Sequence, residues 1–139
     1  MENMVDNQNV QHPEFQNVLS VLDEHQNLLN NQDLEGVVRT IHSASPSQPA
    51  TKKMLGQLFN SYRLKNELID TKYVGCDEDY IYIRMKQKIS KLEGPEFRDN
   101  ISDSLVAARK DGNAWKVWSM MPLEVTFYDD TNTFDSLFI

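Results

Sequence analysis

The chain has 139 residues, a formal net charge of −7, and apolar and charged fractions of 40% and 25%, which are ordinary for a globular protein. Its length suits one domain. Without a run of Lys or Arg, nucleic acid and anionic membrane surfaces are excluded as partners, and no apolar run reaches the roughly 18–20 residues that span a bilayer. The single cysteine, Cys76, excludes an intrachain disulfide. We therefore expect a cytoplasmic protein that does not enter a membrane.

The two ends of the chain differ in composition from the part between them. Residues 1–11 are rich in Asn and Gln and hold little apolar surface, so we predict a disordered N-terminal tail. Residues 12–128 are predicted to form one domain. Residues 129–139 are acidic and then apolar, and this C-terminal tail either docks on a protein surface or stays in solvent.

The first half of the chain has helical periodicity. A helix is predicted from His12-Pro13-Glu14 to about residue 30, because Pro and an acidic residue favour the first turn. A second helix follows, with Asn31 as its N-cap, and a third is predicted over residues 50–62. His25 lies within the apolar stripe of the first helix and is expected to be a hydrogen-bonded core histidine.

The second half of the chain alternates in polarity as strands do. Strands are predicted over residues 64–74, 80–89, 97–110 and 115–127, with a hairpin turn at Asp111-Gly112-Asn113. In the first pair, a straight register would place Glu67 opposite Lys86, which is a favourable cross-strand pair. In the second pair, the alternation places Asp103 and Leu105 on the face toward the helices.

Helices followed by long antiparallel strands predict an α+β fold. The hairpin sequence Arg109-Lys110-Asp111-Gly112, continuing to Trp115-Lys116-Val117, resembles a pattern of the nuclear transport factor 2-like superfamily, although two residues, Asn113-Ala114, stand before the tryptophan. The resemblance covers about residues 14–127. It implies three N-terminal helices packed in the concave face of a strongly curved antiparallel sheet of about four long strands, forming a cone with an internal pocket.

This fold hosts many unrelated functions, so the resemblance specifies no reaction. Relatives such as ketosteroid isomerases carry a catalytic carboxylate just after the second helix. The corresponding segment here, residues 43–49, is SASPSQP and contains neither Asp nor Glu. The resemblance therefore does not extend to the base of the isomerase reaction.

Three side chains are candidates for a catalytic role. Asp103 in the middle of a strand would gain a raised pKa if it faced an apolar pocket, and it could then act as a general acid or base. The alternative is that Asp103 pairs with a polar neighbour or lies at the rim. Asp70 could have the same role on an earlier strand. His42 either faces the mouth of the cone or interacts favourably with the negative, C-terminal end of its helix. The spacing of the histidines and the lone cysteine predict no metal site, and no cofactor motif is present.

Two groups of apolar residues are expected at the pocket and at an interface between copies. The residues that would line the pocket, or alternatively fill it, are Leu22, Met54, Leu58, Phe59, Tyr62, Met85, Leu105 and Met121. The residues that would join a homodimer through the outer face of the sheet are Tyr82, Val106, Trp118 and Met120. The second group is expected there because it is too apolar for open solvent.

The sequence therefore favours a small dimeric protein with an apolar pocket for an unknown small molecule and no demonstrable catalytic centre. One alternative is a SnoaL-like cyclase, isomerase or dehydratase that uses Asp103 as general acid or base. Another is a protein-interaction module that uses the C-terminal tail.

Overall fold

The computed structural model describes residues 11–128, so the predicted tails, apart from residue 11, lie outside the described residues. Three helices precede four strands, which confirms the α+β order. The helices are α1 (Phe15–Asn30), α2 (Leu34–Arg39) and α3 (Gln48–Ser61), and the strands are β1 (Arg63–Cys76), β2 (Tyr80–Glu93), β3 (Asn100–Asp111) and β4 (Ala114–Phe127). No helix within the described part is long and apolar enough to cross a membrane.

The helix boundaries follow local capping chemistry. Asp33, rather than the predicted Asn31, caps α2, because its Oδ1 accepts the Gly36 N–H at 3.0 Å. The preceding residue, Gln32, has a φ of 54°, so the chain turns through the left-handed region before α2 can begin. The helix start therefore shifts from the predicted cap to Asp33.

The four strands form one antiparallel sheet in the order β1-β2-β3-β4. Helix α1 contacts both β1 and β4, which are the two edge strands of this sheet. Edges of a flat four-stranded sheet stand roughly 14 Å apart, so one helix touches both because the sheet curves around it. The concave face toward the helices is called the inner face below, and the opposite face is the outer face.

The β1–β2 register differs from the predicted one. Glu67 stands opposite Lys88, and Asp70 stands opposite Lys86. Register shifts between Leu68 and Asp70 and between Tyr73 and Gly75 move the strands past each other. A straight register was wrong here because each bulge adds a residue on β1, and bulges accompany strong curvature.

The core lies between α1 and the inner face. Its members are buried apolar side chains from both layers: Phe15, Val18, Leu22, Ile81, Ile83, Met85, Val106, Ala108, Trp115 and Val117. Ile81, Ile83 and Met85 alternate with half-buried or exposed polar residues along β2, as the sequence pattern predicts. Burial of this apolar set is the main favourable contribution to folding.

The β3–β4 hairpin departs from simple alternation at two residues of β4, Trp118 and Leu123. Ala107 pairs with Ser119, whereas Ala108 pairs with Val117, so Trp118 is an extra residue in β4. Trp115 and Val117 face inward before this bulge, and Met120, which pairs with the buried Val106, faces inward after it. This bulge therefore shifts the phase of β4, and the predicted faces of Met120 and Met121 were wrong, whereas the second bulge at Leu123 restores the predicted phase for Glu124 and Val125.

The segment after α2 pairs with β4 through backbone hydrogen bonds. The His42 N–H donates to the Val117 carbonyl at 2.8 Å, and the Val117 N–H donates to the Thr40 carbonyl at 2.8 Å. Ile41 and Val117 thereby form a short parallel bridge. This bridge covers part of the β4 edge and holds the C-terminal end of α2 over the inner face.

Candidate functional site

A cavity of about 300 Å³ lies between helices α1 and α3 and the inner face of the sheet. Most of its lining is apolar: Leu29, Ile41, Met54, Leu55, Leu58, Phe59, Tyr62, Leu64, Ile89, Val117 and Met120. Seven polar residues complete it: His25, Gln32, Ser47, Thr51, Asn66, Gln87 and Ser119. Among these described lining residues none is Asp, Glu, Lys or Arg, so the cavity wall carries no fixed charge.

The predicted lining divides into three groups. Met54, Leu58, Phe59 and Tyr62 line the cavity as expected from the helical spacing of α3. Leu22 and Met85 are 0% exposed and belong to the packed core instead, so they fill the interior. Leu105 and Met121 are paired with each other on the outer face, and Met121 is 54% exposed. Their inward placement was wrong because the inner face of β3 holds the buried polar residues Ser102 and Ser104 beside the apolar Val106.

His25 is the buried titratable group of the cavity. The Thr40 hydroxyl donates to the Val37 carbonyl at 2.6 Å, and His25 Nδ1 lies 2.8 Å from the same Thr40 Oγ1. Because the hydroxyl proton is already used, Nδ1–H donates to Oγ1 and the ring proton is on Nδ1. Burial lowers the pKa of His25 to about 4, so the ring is neutral at pH 7.

Gln87 is oriented by a second amide. The Gln26 Nε2 donates to Gln87 Oε1 at 3.0 Å, so the Gln87 amide nitrogen is the end of that side chain without a hydrogen-bond partner in the described chain. Gln87 lines the cavity beside Asn66, whose backbone N–H and side-chain amide are held by Asn30 Oδ1. Neutral hydrogen-bonding groups on fixed elements therefore supply the polarity of the site.

Asp103 lies on the outer face, contrary to the prediction. Its oxygens accept two hydrogen bonds from the Arg84 guanidinium, Nε to Oδ1 at 3.0 Å and Nη2 to Oδ2 at 2.6 Å. These bonds and the positive charge of Arg84 hold the pKa of the Asp103 carboxyl below its usual range. A carboxylate that is paired, ionised and turned away from the cavity is poorly suited to act as its acid or base.

Asp70 shares this outer location. It is exposed and borders a shallow charged depression together with Lys72, Arg84, Lys86 and Asp103. The proposed pocket position of Asp70 was therefore wrong, because the bulges of β1 place its side chain among the outward-facing basic residues of β2.

His42 is buried but does not line the cavity. Its Nδ1 accepts the Ala44 N–H at 3.0 Å, and its Nε2–H consequently donates to the Lys110 carbonyl at 2.9 Å. Both ring nitrogens hold backbone groups, and the ring packs edge-on against Trp118. The structure therefore gives His42 a role in joining the α2–α3 segment to the β3–β4 hairpin.

The four residues predicted at a dimer interface do not share one face. Val106 is 0% exposed in the core, and Met120 lines the cavity, so both face inward. Tyr82 and Trp118 lie outside the cavity lining, and Tyr80 contacts both of their rings. Met120 was misplaced because the prediction assumed an unbroken alternation across the bulge in β4, and Val106 was misplaced because the prediction exchanged the two faces of β3.

The polar residues of the cavity were largely missed by sequence reasoning. His25 was assigned to the core, and no local motif marks Gln87 or Ser119 as cavity residues. A signal was present for His25, since a histidine in an apolar helical stripe must have a buried partner. That partner, Thr40, is 15 positions away and is recognisable only once α1 and α2 are placed together.

The sequence matches one family model, which describes the C-terminal domain of the anti-sigma-I factor RsgI9, over residues 20–128. No curated protein matches the chain.

Solved structures have the same fold at low identity. A candidate aromatic ring hydroxylase from Novosphingobium aromaticivorans superposes with a TM-score of 0.67 at 12% identity, covering 86% of this chain and 98% of that one. A candidate scytalone dehydratase from the same species gives 0.65 at 15%, covering 83% and 87%. Bd1075 of Bdellovibrio bacteriovorus gives 0.62 at 16%, covering 78% of this chain, which spans only 40% of that one. Sequence identities this low show only that the fold is shared.

These similarities confirm the nuclear transport factor 2-like fold expected from the hairpin sequence, with three helices on a curved four-stranded sheet. The matched family model covers most of the chain, including every strand. The chain belongs to the family of the C-terminal domain of anti-sigma-I factor RsgI9.

Proposed function

We propose that this domain binds a small, mainly apolar molecule in the cavity between α1, α3 and the inner face. The observation that carries the proposal is a cavity of about 300 Å³ whose wall is apolar with a few neutral polar groups. That volume and lining are typical of small-molecule sites. Burial of an apolar ligand against such a wall would supply the main part of the binding free energy.

We propose binding without catalysis. The two titratable side chains in the lining, His25 and Tyr62, are both engaged, His25 with Thr40 and Tyr62 through its hydroxyl to the Glu96 carbonyl at 3.2 Å. General acid–base catalysis needs a group that exchanges protons near the working pH. The buried His25 has its pKa lowered to about 4, which disfavours that role. The outer position of Asp103 equally disfavours the cyclase, isomerase or dehydratase alternative.

The family name suggests a regulatory setting for such binding. In anti-sigma-I factor RsgI9 the corresponding domain is C-terminal, and a domain that binds a ligand without converting it would suit a sensor. The cytoplasmic location expected from the sequence remains a prediction. The interaction-module alternative also remains one, because the C-terminal tail lies outside the described residues.

We also propose a homodimer through the outer face, with a revised set of contacts. Tyr82, Leu105, Trp118 and Met121 place aromatic or apolar side chains outside the cavity and the core. Such a grouping beside the Arg84–Asp103 pair matches the mixture of apolar and charged groups in protein interfaces.

Filling the cavity tests the binding proposal. We expect Leu58→Trp to abolish binding of naphthalene, an apolar probe smaller than the cavity, because the indole would occupy the space between α3 and the sheet. Binding is measured by titration calorimetry and by chemical-shift changes of the methyl groups that line the cavity.

The matched control is Gln57→Trp, which adds the same ring one residue away on the exposed side of α3. It is expected to leave naphthalene binding unchanged. Equal binding by the wild type and Leu58→Trp, with Leu58→Trp folded, would show that the probe binds elsewhere and would contradict the proposal.

A further inference from the structure

We infer that the cavity recognises a neutral hydroxyl group on an otherwise apolar ligand, through a hydrogen bond donated by that hydroxyl to Nε2 of His25. This inference rests on the proposed function and adds the chemical class of the ligand. It assigns to His25 a specificity role at the site rather than a catalytic one.

The tautomer of His25 is set by a chain of two hydrogen bonds. The Val37 carbonyl can only accept, so the 2.6 Å contact with Thr40 Oγ1 requires the hydroxyl proton. The remaining contact, 2.8 Å between Oγ1 and His25 Nδ1, must then be donated by the imidazole. Nε2 consequently carries a lone pair and no proton.

Nε2 is the unused end of this ring. His25 is 6% exposed and lines the cavity, and its Nε2 has no hydrogen-bond partner within residues 11–128. Nε2 is not among the fully buried unpaired atoms of the described residues, so it keeps access to the cavity, and a ligand that covers it without donating would remove its hydrogen bond to water at a cost in free energy. A ligand with an X–H group at this position would satisfy the acceptor, whereas a purely apolar ligand would leave it unpaired.

The charge of the lining decides which X–H group fits. Since the described wall holds no carboxylate, an ammonium donor would be buried without a counter-charge, at a high cost. A ligand carboxylate meets the same problem, because the wall holds no Lys or Arg. A hydroxyl is neutral, donates to Nε2, and can also accept from a donor such as the Gln87 amide, whose Oε1 is already bonded to Gln26.

Three matched probes test the inference on the whole chain: naphthalene, 2-naphthol and 2-methoxynaphthalene. The two oxygen-bearing probes are similar in shape, but only 2-naphthol can donate. We expect the wild type to bind 2-naphthol about tenfold more tightly than 2-methoxynaphthalene, the usual size for one buried hydrogen bond. In His25→Phe the two affinities should fall within about twofold of each other, with naphthalene still bound. Gln57→Trp, on the exposed side of α3 and outside the cavity lining, should keep the tenfold preference.

The outcomes separate this inference from the proposed function. Equal binding of 2-naphthol and 2-methoxynaphthalene by the wild type, with naphthalene bound, would overturn the inference and leave the binding proposal standing. A preference that survives in His25→Phe would also overturn it. Binding of none of the probes would overturn both. If His25→Phe does not fold, the ¹⁵N chemical shift of Nε2 is measured in the wild type instead. It should change when 2-naphthol is added and stay constant when 2-methoxynaphthalene is added. A change with 2-methoxynaphthalene and none with 2-naphthol would refute the inference.

Discussion

The two faces of the sheet differ in the charge of the side chains that they carry. The outer face of β2 and β3 carries paired charges, with Arg84 bonded to Asp103 through two hydrogen bonds at 3.0 and 2.6 Å. The inner face carries neutral side chains that line the core and the cavity, including buried Ser102 and Ser104. Charges are placed where water reduces their desolvation cost, and the interior keeps only polar groups that can be satisfied without charge. The cavity can therefore discriminate ligands only by shape and by neutral hydrogen bonds.

The largest expected effect comes from placing a charge on the wrong face. Val106 is 0% exposed, and its neighbour Leu105 lies on the outer face opposite Arg84. Val106→Asp would bury an unpaired carboxylate at a cost of about 3–5 kcal/mol, which approaches the whole stability of a small domain. Leu105→Asp should keep the native fold, because its carboxylate can reach solvent and Arg84. Urea unfolding followed by circular dichroism measures both.

The same pair of variants tests the dimer. Leu105→Asp introduces a charge into the apolar part of the outer face, so sedimentation should show a folded monomer, whereas the wild type is expected to sediment as a dimer. A wild type that sediments as a monomer at micromolar concentration would contradict the dimer proposal. Comparable unfolding free energies for Val106→Asp and Leu105→Asp would instead contradict the assignment of the two faces.

A smaller effect is expected from acidification of the cavity. Burial lowers the pKa of His25 to about 4, below the 6.5 of an exposed imidazole. Between these values the unfolded state binds a proton that the folded state does not, so stability present above pH 6.5 is lost as the pH falls to about 4. At about 1.4 kcal/mol per pKa unit, the loss is roughly 3 kcal/mol.

The control for this pH dependence is His25→Gln, which cannot be protonated in that range. The difference between the unfolding free energies of wild type and variant should change steeply between pH 6.5 and 4 and level off below it. A difference that stays constant with pH would show that His25 titrates normally and is accessible to water in the folded protein.

The smallest effect is expected on the outer face. The Arg84 guanidinium lowers the pKa of Asp103, but the pair is open to solvent, where such ion pairs contribute little. Asp103→Asn should shift the urea midpoint less than any variant above and leave naphthalene binding unchanged. Loss of binding in Asp103→Asn would instead support the alternative in which this residue serves the cavity.

The sequence predicted the positions of the helices and strands better than it predicted which side chains of the β3–β4 hairpin face the cavity. Helical spacing located α1 and α3, and alternation located Ile81, Ile83 and Met85 in the core. These patterns succeed because the side chains of one element share one environment. The α3 lining residues Met54 and Leu58 were predicted for the same reason.

The failures arise where long-range geometry overrides the local pattern. The inner face of β3 carries Ser102 and Ser104, so a count of apolar residues selected the opposite face and placed Asp103 inside. The register of β1 was missed because the bulges after Leu68 and Tyr73 break the regular pairing that was assumed. The tautomer of His25 depends on Thr40, which α2 brings beside α1 only in the folded chain.

The extra residue Trp118 has a consequence for comparing members of this family. In an antiparallel strand, facing depends on odd or even position, and Trp118 shifts that parity for the residues up to Leu123, a second extra residue that shifts it back. An alignment whose gap falls on the wrong side of this residue would exchange Met120 with Met121. It would thereby transfer cavity residues to the outer surface, and surface residues to the cavity, in every homologue compared. Whether relatives share the residues that line this cavity can be judged only after Trp118 and Leu123 have been aligned correctly.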